Sequence, residues 1–352
     1  MPIASACSTR QLYRWGLLPQ LKKFLSTQNE ISTNNMVDPL LRRIDVRFNT
    51  SSGEEVSVEA VYQDTVPSGS RLGTVVAIHG APGSHKDFKY VTPLLHEKGI
   101  RFIGVNMPGF GSTPGDPRLR CDNTERNNFV CELISRIGNI ERLVVMGHSR
   151  GCENAVAVAA RNTDLLVGLV LLSPTGLRLH RGLRPFWVID FILWLYSLGP
   201  TAKQIMHTVM KYFYNSIIGL RLDTGERAMM CVRTMSHIEL ADGLLPNIDR
   251  INRKQDARVL VAYSGKDFLI ETSISRELAD AFKDHVELKC EDEDELTESK
   301  AIQQTRELFS NGTKTVSINF EKCGHFLQRD RSQYIADAIE AILRNCKGLP
   351  TS

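Results

Sequence analysis

Ser149 has the sequence context of a catalytic nucleophile. It lies in the string GHSRG (147–151), which fits the pattern G-x-S-x-G and joins an apolar run, Leu143–Met146, to a stretch of small residues, Cys152–Arg161. A sharp turn from a strand into a helix holds its serine in a strained conformation with the hydroxyl exposed. Because the pattern alone is a weak signal, the prediction depends on the flanking strand and helix. The alternative is a tight turn with an inert serine.

His325 is the candidate general base, which a serine needs in order to attack a carbonyl carbon. It follows the predicted strand Lys314–Phe320 in a Cys-Gly-His turn, and Gly324 gives that turn the freedom to direct the imidazole toward the serine. No other histidine of the sequence both follows a late strand and lies in a glycine turn. A lone histidine is more often structural, so its position is what selects His325.

Asp267 is the candidate for the acid that orients the imidazole. It follows the predicted strand Arg258–Tyr263, whereas the segment directly after Leu166–Leu172 reads Ser-Pro-Thr-Gly and has no acid. Glu271, four residues beyond Asp267, is the alternative. A purely structural interpretation makes Asp267 the cap of a helix that begins near Ser273.

Two backbone N–H groups are predicted to stabilise the oxyanion that forms when the serine attacks. Arg150 supplies one, because it follows the nucleophile at the start of a helix. The other comes from the loop His79–Gly83, where Pro82 has no N–H and Ala81 is the candidate donor. Together with the serine, histidine and aspartate, these N–H groups indicate acyl transfer through a covalent acyl-enzyme.

The elements that position these residues alternate between strand and helix. The predicted strands are Ile44–Asn49, Val56–Tyr62, Thr74–His79, Phe102–Asn106, Leu143–Met146, Leu166–Leu172, Arg258–Tyr263 and Lys314–Phe320. The predicted helices are Lys86–Lys98, Thr124–Ile137, Cys152–Arg161, Ser273–Phe282 and Gln333–Asn345. This alternation predicts an α/β fold with a parallel sheet between two layers of helices. The acidic run 289–300 is predicted to be a solvated loop.

Residues 177–254 interrupt the alternation with a helical, apolar segment that is rich in methionine and aromatic residues. We interpret them as a cap over a core formed by residues 40–176 and 255–346. Flexible methionines suit a pocket for variable apolar groups, which favours an acyl chain over a polar substrate. The alternative is ordinary packing of the cap on the core. The same apolar surface suggests peripheral contact with a membrane through the cap.

Composition excludes some classes of function. The chain has 43 basic and 40 acidic residues without a basic cluster, so no nucleic-acid partner is expected. The eight cysteines are scattered, without C-x-x-C pairs or zinc-ligand spacing, which indicates reduced thiols and no metal site.

Residues 1–35 are predicted to be an N-terminal extension that directs import into mitochondria. Within 1–29 the chain has four basic residues, no acid, several hydroxyl side chains and leucines at helical spacing. The alternatives are a surface extension and a cytoplasmic protein. A fluorescent fusion of residues 1–35 tests the prediction, and a diffuse cytosolic signal would refute it.

The motifs HGAPGS, NMPGFGST, GHSRG, SGKD and CGHFLQRD resemble those of the serine-type α/β-hydrolase superfamily, in the branch with a helical cap. The resemblance covers about residues 40–346. It implies a mainly parallel sheet of eight strands, a catalytic triad of Ser149, His325 and Asp267, and no cofactor. Relatives that hydrolyse epoxides or haloalkanes use Asp as nucleophile, so Ser149 argues against those activities.

The sequence therefore predicts a hydrolase of a carboxylic ester with an apolar or lipid-like acyl group. One alternative is a protein of this fold that binds a ligand without turning it over. Another is an acyltransferase or thioesterase, because His325 and Asp330 spell H-x-x-x-x-D, which resembles a pattern reported for acyltransferases.

Overall fold

The computed structural model describes residues 38–220, 222–292 and 294–345. The predicted targeting segment, residues 1–35, lies outside the described residues, and import stays a prediction. Nine strands form one sheet: β1 Leu41–Asn49, β2 Glu55–Asp64, β3 Thr74–Ile78, β4 Arg101–Gly104, β5 Leu143–His148, β6 Leu166–Leu172, β7 Arg258–Ser264, β8 His285–Cys290 and β9 Thr315–Phe320.

The sheet has the strand order β1-β2-β4-β3-β5-β6-β7-β9-β8. Its first two pairings, β1 with β2 and β2 with β4, are antiparallel, and the other strands run parallel. Parallel strands end at a common edge, so the loops after β3, β5, β7 and β9 gather there. These loops carry Ala81, Ser149, Asp267 and His325.

The helices are α1 Val91–Glu97, α2 Asn123–Ile137, α3 Gly151–Arg161, α4 Trp187–Ser197, α5 Pro200–Tyr212, α6 Gly225–Ser236, α7 Ala241–Arg253, α8 Thr272–Asp280, α9 Glu295–Ser310, α10 Leu327–Asp330 and α11 Ser332–Arg344. Short 3₁₀ turns lie at His85–Phe88 and Arg181–Leu183, and a π-helical turn lies at Phe213–Ile218.

Helices cover both faces of the sheet. Val76 and Ile78 of β3 join the apolar cluster that contains residues of α2, α3, α7 and α8. Their neighbours Val75 and Ala77 join the cluster on the other face, with residues of α1, α9 and α11. Successive strand side chains point to opposite faces, so a strand buried on both sides is apolar throughout. The predicted α/β fold class with a mainly parallel sheet is confirmed.

The prediction of eight strands was wrong, because β8 adds a ninth at the edge beyond β9. Its sequence, HVELKC, alternates polar and apolar residues, and most of its side chains are only half-buried. The prediction of a solvated loop over 289–300 was also wrong, because this segment contains the end of β8 and the start of α9. Lys289 and Cys290 end β8, and Asp294 caps α9 by accepting a hydrogen bond from the N–H of Thr297 at 2.9 Å.

The segment 177–254, predicted to be the cap, divides into two parts. Helices α4, α5 and α6 share an apolar cluster of their own that includes Met206, Met210 and Met229. Helix α7 instead packs beside α3, and its Leu244 and Ile248 belong to the core of the sheet domain. The name cap is used here for α4–α6, because α7 packs with the core of the sheet domain. No helix of the described residues is long and apolar enough to cross a bilayer.

Candidate active site

Ser149 occupies the sharp turn between β5 and α3, with a positive φ of 52°. Such a backbone conformation is uncommon for a residue with a side chain and is a known feature of functional turns. The glycines on each side have no room for a side chain. A Cβ on Gly147 would lie 2.7 Å from the Cα of Cys152, and a Cβ on Gly151 would collide with the carbonyl oxygen of Ile78. The turn thus depends on both glycines.

His325 and Asp267 are brought together by the ends of β9 and β7. The Nδ1 of His325 lies 2.7 Å from Oδ2 of Asp267, and both side chains are buried. Asp267 Oδ1 also accepts hydrogen bonds from the backbone N–H groups of Leu269 at 2.8 Å and Ile270 at 3.0 Å. A carboxylate only accepts, so Nδ1 carries the proton and Nε2 is left as the basic nitrogen.

The Asp267 carboxyl is held in its ionised form. Burial raises its pKa, but the charge of His325, the hydrogen bond from that imidazole and the two backbone N–H groups together outweigh burial. The net pKa lies below the usual value for aspartate. The acid is therefore negative at neutral pH, as is needed to stabilise an imidazolium during proton transfer.

Glu271, the alternative acid, lies elsewhere. It occupies the N-cap position of α8, accepts a hydrogen bond from the backbone N–H of Arg181 at 2.9 Å and pairs with the guanidinium of Arg184. Both arginines belong to the segment that leads into the cap. Glu271 thus joins the core to the cap, and Asp267 makes the contact with His325.

The two candidate oxyanion donors lie on the loops that flank Ser149. Ala81 lines the same cavity as Ser149, and a Cβ on Gly80 would lie only 3.3 Å from the Cβ of Ser149, so the loop after β3 packs closely on the serine. Arg150 is the N-cap residue of α3. The first N–H groups of a helix have no carbonyl partner within the helix, so they are available to an anion.

The side chain of Arg150 has a structural role that the sequence analysis missed. It is fully buried, and its guanidinium donates to Oε2 of Glu153 at 2.9 Å, Oδ1 of Asn123 at 2.8 Å, the carbonyl of Thr234 at 3.3 Å and the carbonyl of His237 at 3.0 Å. Thr234 lies in α6 and His237 follows it. The residue after Ser149 is therefore hydrogen-bonded directly to the cap.

Glu153, the buried partner of Arg150, extends this network. Its Oε1 accepts from the hydroxyl of Thr175, just after β6, and its Oε2 accepts from the backbone N–H of Glu239 at 2.8 Å. A buried ion pair is stable only when its remaining donors and acceptors are satisfied. The network meets this condition by joining the turn that contains Ser149, the segment after β6 and the segment after α6. The i, i+3 spacing of Arg150 and Glu153 is the one signal of it in the sequence.

Two other histidines near the site are neutral. The Nε2 of His148 lies 3.2 Å from the carbonyl oxygen of His325. The Nε2 of His79 accepts a hydrogen bond from the backbone N–H of Met107 at 3.1 Å, and its Nδ1 donates to the carbonyl of Gly80 at 2.7 Å. Burial lowers the pKa of each to about 3. Both therefore act as uncharged packing and hydrogen-bonding groups at neutral pH.

Ser149 opens into a cavity of about 290 Å³ between the core and the cap. This volume lies near the lower end of the range of small-molecule pockets, roughly 300–1,000 Å³. The walls are mostly aliphatic and aromatic, and no Asp or Glu lines them. The lining residues are Ala81, Ser149, His180, Gly182, Leu183, Arg184, Pro185, Val188, Ile189, Ile192, Met210, Phe213, Tyr214, Ile218, Leu220, Val232, Met235, Leu269 and Ile270.

Residues able to hold a metal ion are not grouped in the part of the chain that the structure describes. No cluster of three or more His, Cys, Asp or Glu side chains has the required arrangement there. The six cysteines at positions 121, 131, 152, 231, 290 and 323 are free thiols.

Comparison with known proteins gives matches over nearly the whole described chain. A family model described as alpha/beta hydrolase of unknown function (DUF1057) matches residues 38–344. A protein of Caenorhabditis elegans is 33% identical over 327 residues, which cover 90% of each chain. A shorter match, 24% identical over 169 residues, covers 45% of this chain and 38% of an Arabidopsis thaliana protein named "Probable lysophospholipase BODYGUARD 5".

Solved structures share the fold at low sequence identity. An esterase of Thermogutta terrifontis has a TM-score of 0.58 at 16% identity, over 86% of this chain and 98% of its own. A haloalkane dehalogenase of Bradyrhizobium elkani has a TM-score of 0.57 at 15% identity, over 86% and 97%. Identities this low show the fold alone, so the family model and the nematode relative decide the assignment. The chain therefore belongs to this family of alpha/beta hydrolases.

Proposed function

We propose that this hydrolase cleaves carboxylic esters with an apolar acyl group through an acyl-enzyme on Ser149. The observation that carries the proposal is the position of Ser149, which lies on a strained turn and opens into an apolar cavity. The hydrogen-bonded pair of His325 and Asp267, on neighbouring loops of the same sheet edge, supports it.

The chemistry would proceed in two halves. The Oγ of Ser149 attacks the carbonyl carbon while Nε2 of His325 takes the hydroxyl proton, and the N–H groups of Ala81 and Arg150 stabilise the oxyanion. The ester C–O bond then breaks, and the leaving alcohol receives that proton. Water attacks the acyl-enzyme with His325 again as base, which releases the carboxylic acid and returns the proton to Ser149.

The apolar acyl group is inferred from the cavity. Its wall toward the cap includes Val188, Ile189 and Ile192 on one side of α4, together with Met210 of α5. Burial of each acyl methylene there is worth about 0.8 kcal/mol. The Arabidopsis relative named as a lysophospholipase agrees with this class of substrate.

The alternative functions have less support. The resemblance to the superfamily implies that its haloalkane dehalogenases and epoxide hydrolases have Asp at the position of the nucleophile. This chain has Ser149 there, which argues against both activities. The H-x-x-x-x-D pattern that suggested acyl transfer ends at Asp330. The carboxylate of Asp330 pairs with the guanidinium of its neighbour Arg329 at 2.8 Å. That contact does not favour transfer to an acceptor over hydrolysis. Binding without turnover would leave the ionised Asp267–His325 pair without a role.

The test is the rate of hydrolysis of p-nitrophenyl esters from acetate to dodecanoate. We expect kcat/KM to rise about fourfold per added methylene until the cavity is filled, since a buried methylene is worth about 0.8 kcal/mol. Ile192→Trp should move the optimum to shorter chains, because it fills the cavity. Leu296→Trp, at an exposed site on α9, is the control. A preference for acetate in the wild type would contradict an apolar acyl group, and binding of esters without hydrolysis would favour the ligand-binding alternative.

We also propose that the cap contacts a lipid surface. The outer face of α4 exposes Trp187, Phe191 and Trp194, one helical turn apart, and the opposite face of the same helix lines the cavity. Tryptophan favours the interface between membrane and water. Residues 177–220 have five basic residues and one acid. Arg178 and Arg184 pair with Glu277 and Glu271 of the core, and the three basic residues that remain still outnumber the single acid, which favours an anionic surface.

Co-sedimentation with vesicles of phosphatidylcholine, with and without phosphatidylserine, tests this contact. Trp187→Ser/Trp194→Ser should weaken binding by about tenfold, because membrane affinity scales with the apolar area that is buried. Leu296→Ser is the matched control, since Leu296 and Trp187 are both 65% exposed and Leu296 lies outside the cap. Binding that survives the tryptophan changes, or falls equally in the control, would contradict the proposal.

A further inference from the structure

His180 lines the substrate cavity, and one of its two ring nitrogens has no hydrogen-bond partner among the described residues. It is the residue before the 3₁₀ turn Arg181–Leu183, is only 4% exposed, and lines the cavity together with Ser149. Its Nδ1 lies 3.0 Å from the carbonyl oxygen of Leu269. A carbonyl oxygen only accepts hydrogen bonds, so Nδ1 carries a proton.

The other ring nitrogen of His180 has no partner among the described residues. Nε2 is buried and makes no hydrogen bond. Burial lowers the pKa of this imidazole, so at neutral pH a second proton is absent and Nε2 presents a lone pair. A buried polar atom without a partner is uncommon in native proteins and calls for an explanation, such as a ligand that supplies the missing bond.

The surroundings of Nε2 limit which donor can bind it. No Asp or Glu lines the cavity, and leucine, isoleucine and methionine side chains form much of its wall. A cationic donor would be buried without a counter-ion, which is strongly unfavourable. A neutral hydroxyl meets the requirement, because it donates one hydrogen bond and its carbon chain packs on the apolar wall.

We propose that His180 is a specificity-determining residue whose Nε2 accepts a hydrogen bond from a hydroxyl group of the ester substrate. The inference rests on the proposed ester hydrolysis and adds to it a preference for hydroxylated esters over the same esters without a hydroxyl. The hydroxyl belongs either to the acyl chain or to the alcohol portion, and both sources supply the same donor.

The experiment compares kcat/KM for two matched pairs of esters with the full chain. The acyl arm compares p-nitrophenyl 6-hydroxyhexanoate with p-nitrophenyl hexanoate, and the alcohol arm compares 1-monodecanoylglycerol with propyl decanoate. In one arm the hydroxylated ester should be preferred by about tenfold, which is the upper value for one neutral hydrogen bond. The arm that shows the preference identifies the portion of the substrate that carries the hydroxyl.

Two variants separate the acceptor from the structural bond of His180. In His180→Asn the amide N–H replaces Nδ1 toward the carbonyl of Leu269, but no acceptor reaches the position of Nε2. The preference for the hydroxylated ester should fall to about one, because this ratio depends on the acceptor and not on the absolute rate. In His180→Gln the amide oxygen reaches the position of Nε2, and part of the preference should return. Met235→Leu, elsewhere in the cavity wall, should leave the ratio unchanged.

Equal rates within both pairs for the wild type would overturn the inference, even if neither variant folds, and would indicate that Nε2 holds only water. An unchanged preference in a folded His180→Asn would overturn it as well. Both results leave ester hydrolysis intact. Failure of all four esters to react would instead overturn the proposed function on which the inference rests.

Discussion

Replacing Ser149 with alanine is expected to reduce ester turnover by about 10⁶-fold, the loss measured when the nucleophile of a triad is removed. The physical reason is that no other group of the cavity wall combines a hydroxyl with a position at the start of α3 and beside Ala81. Substrate binding should survive, since the apolar walls are unchanged. The measurement is kcat for the best p-nitrophenyl ester, with folding checked by circular dichroism.

Ser173 offers a matched control for that variant. It follows β6, is buried, and has a positive φ of 46°, close to the 52° of Ser149. Its hydroxyl makes no hydrogen bond within the described residues. Ser173→Ala therefore introduces the same side chain into a similar backbone conformation and should keep turnover within about threefold of wild type. A loss in Ser173→Ala as large as that in Ser149→Ala would show that strain, and not chemistry, explains the effect.

Asp267→Asn is expected to reduce kcat by about 10⁴-fold. The amide has no negative charge to stabilise the imidazolium, and it can favour the wrong tautomer of His325. The hydrogen bond of 2.7 Å between Oδ2 and Nδ1 is the contact that the substitution changes. The measurement is kcat over a range of pH, with the thermal midpoint of each variant as the check on folding.

Glu271→Gln is the control for the choice of acid. Its carboxylate binds the N–H of Arg181 and the side chain of Arg184, outside the pair of Asp267 and His325. We expect turnover within about tenfold of wild type, because a partly exposed ion pair contributes little. If Glu271→Gln lost most of its activity while Asp267→Asn retained it, Glu271 would be the orienting acid and the assignment of Asp267 would be wrong.

Much of the candidate site could be predicted from the sequence, because local patterns place its residues. Strands such as β3 and β5 are short apolar runs followed by glycine turns, and β7 and β9 are followed by Asp267 and His325. Parallel strands end at one edge, so residues from distant parts of the chain converge there. The sequence could also locate the helical insertion between β6 and β7, because its pattern differs from that of the core.

The features that the sequence could not provide depend on contacts between distant segments. The edge strand His285–Cys290 has a half-exposed, alternating pattern that a surface loop shares. The buried contacts of Arg150 and Glu153 arise only when α3, β6 and the cap meet. The carbonyl of Leu269, which lies far along the chain, fixes the proton of His180 on Nδ1 and so leaves Nε2 as the unpaired nitrogen.

The proposed hydrolysis requires a covalent acyl-enzyme at Ser149, and covalent labelling of the serine probes that step. The folded protein is treated with a fluorophosphonate and digested, and the modified residue is located by mass spectrometry. We expect one adduct, on the peptide that contains Ser149, and none in Ser149→Ala. An adduct on a different residue, or no adduct on a protein that hydrolyses esters, would contradict it.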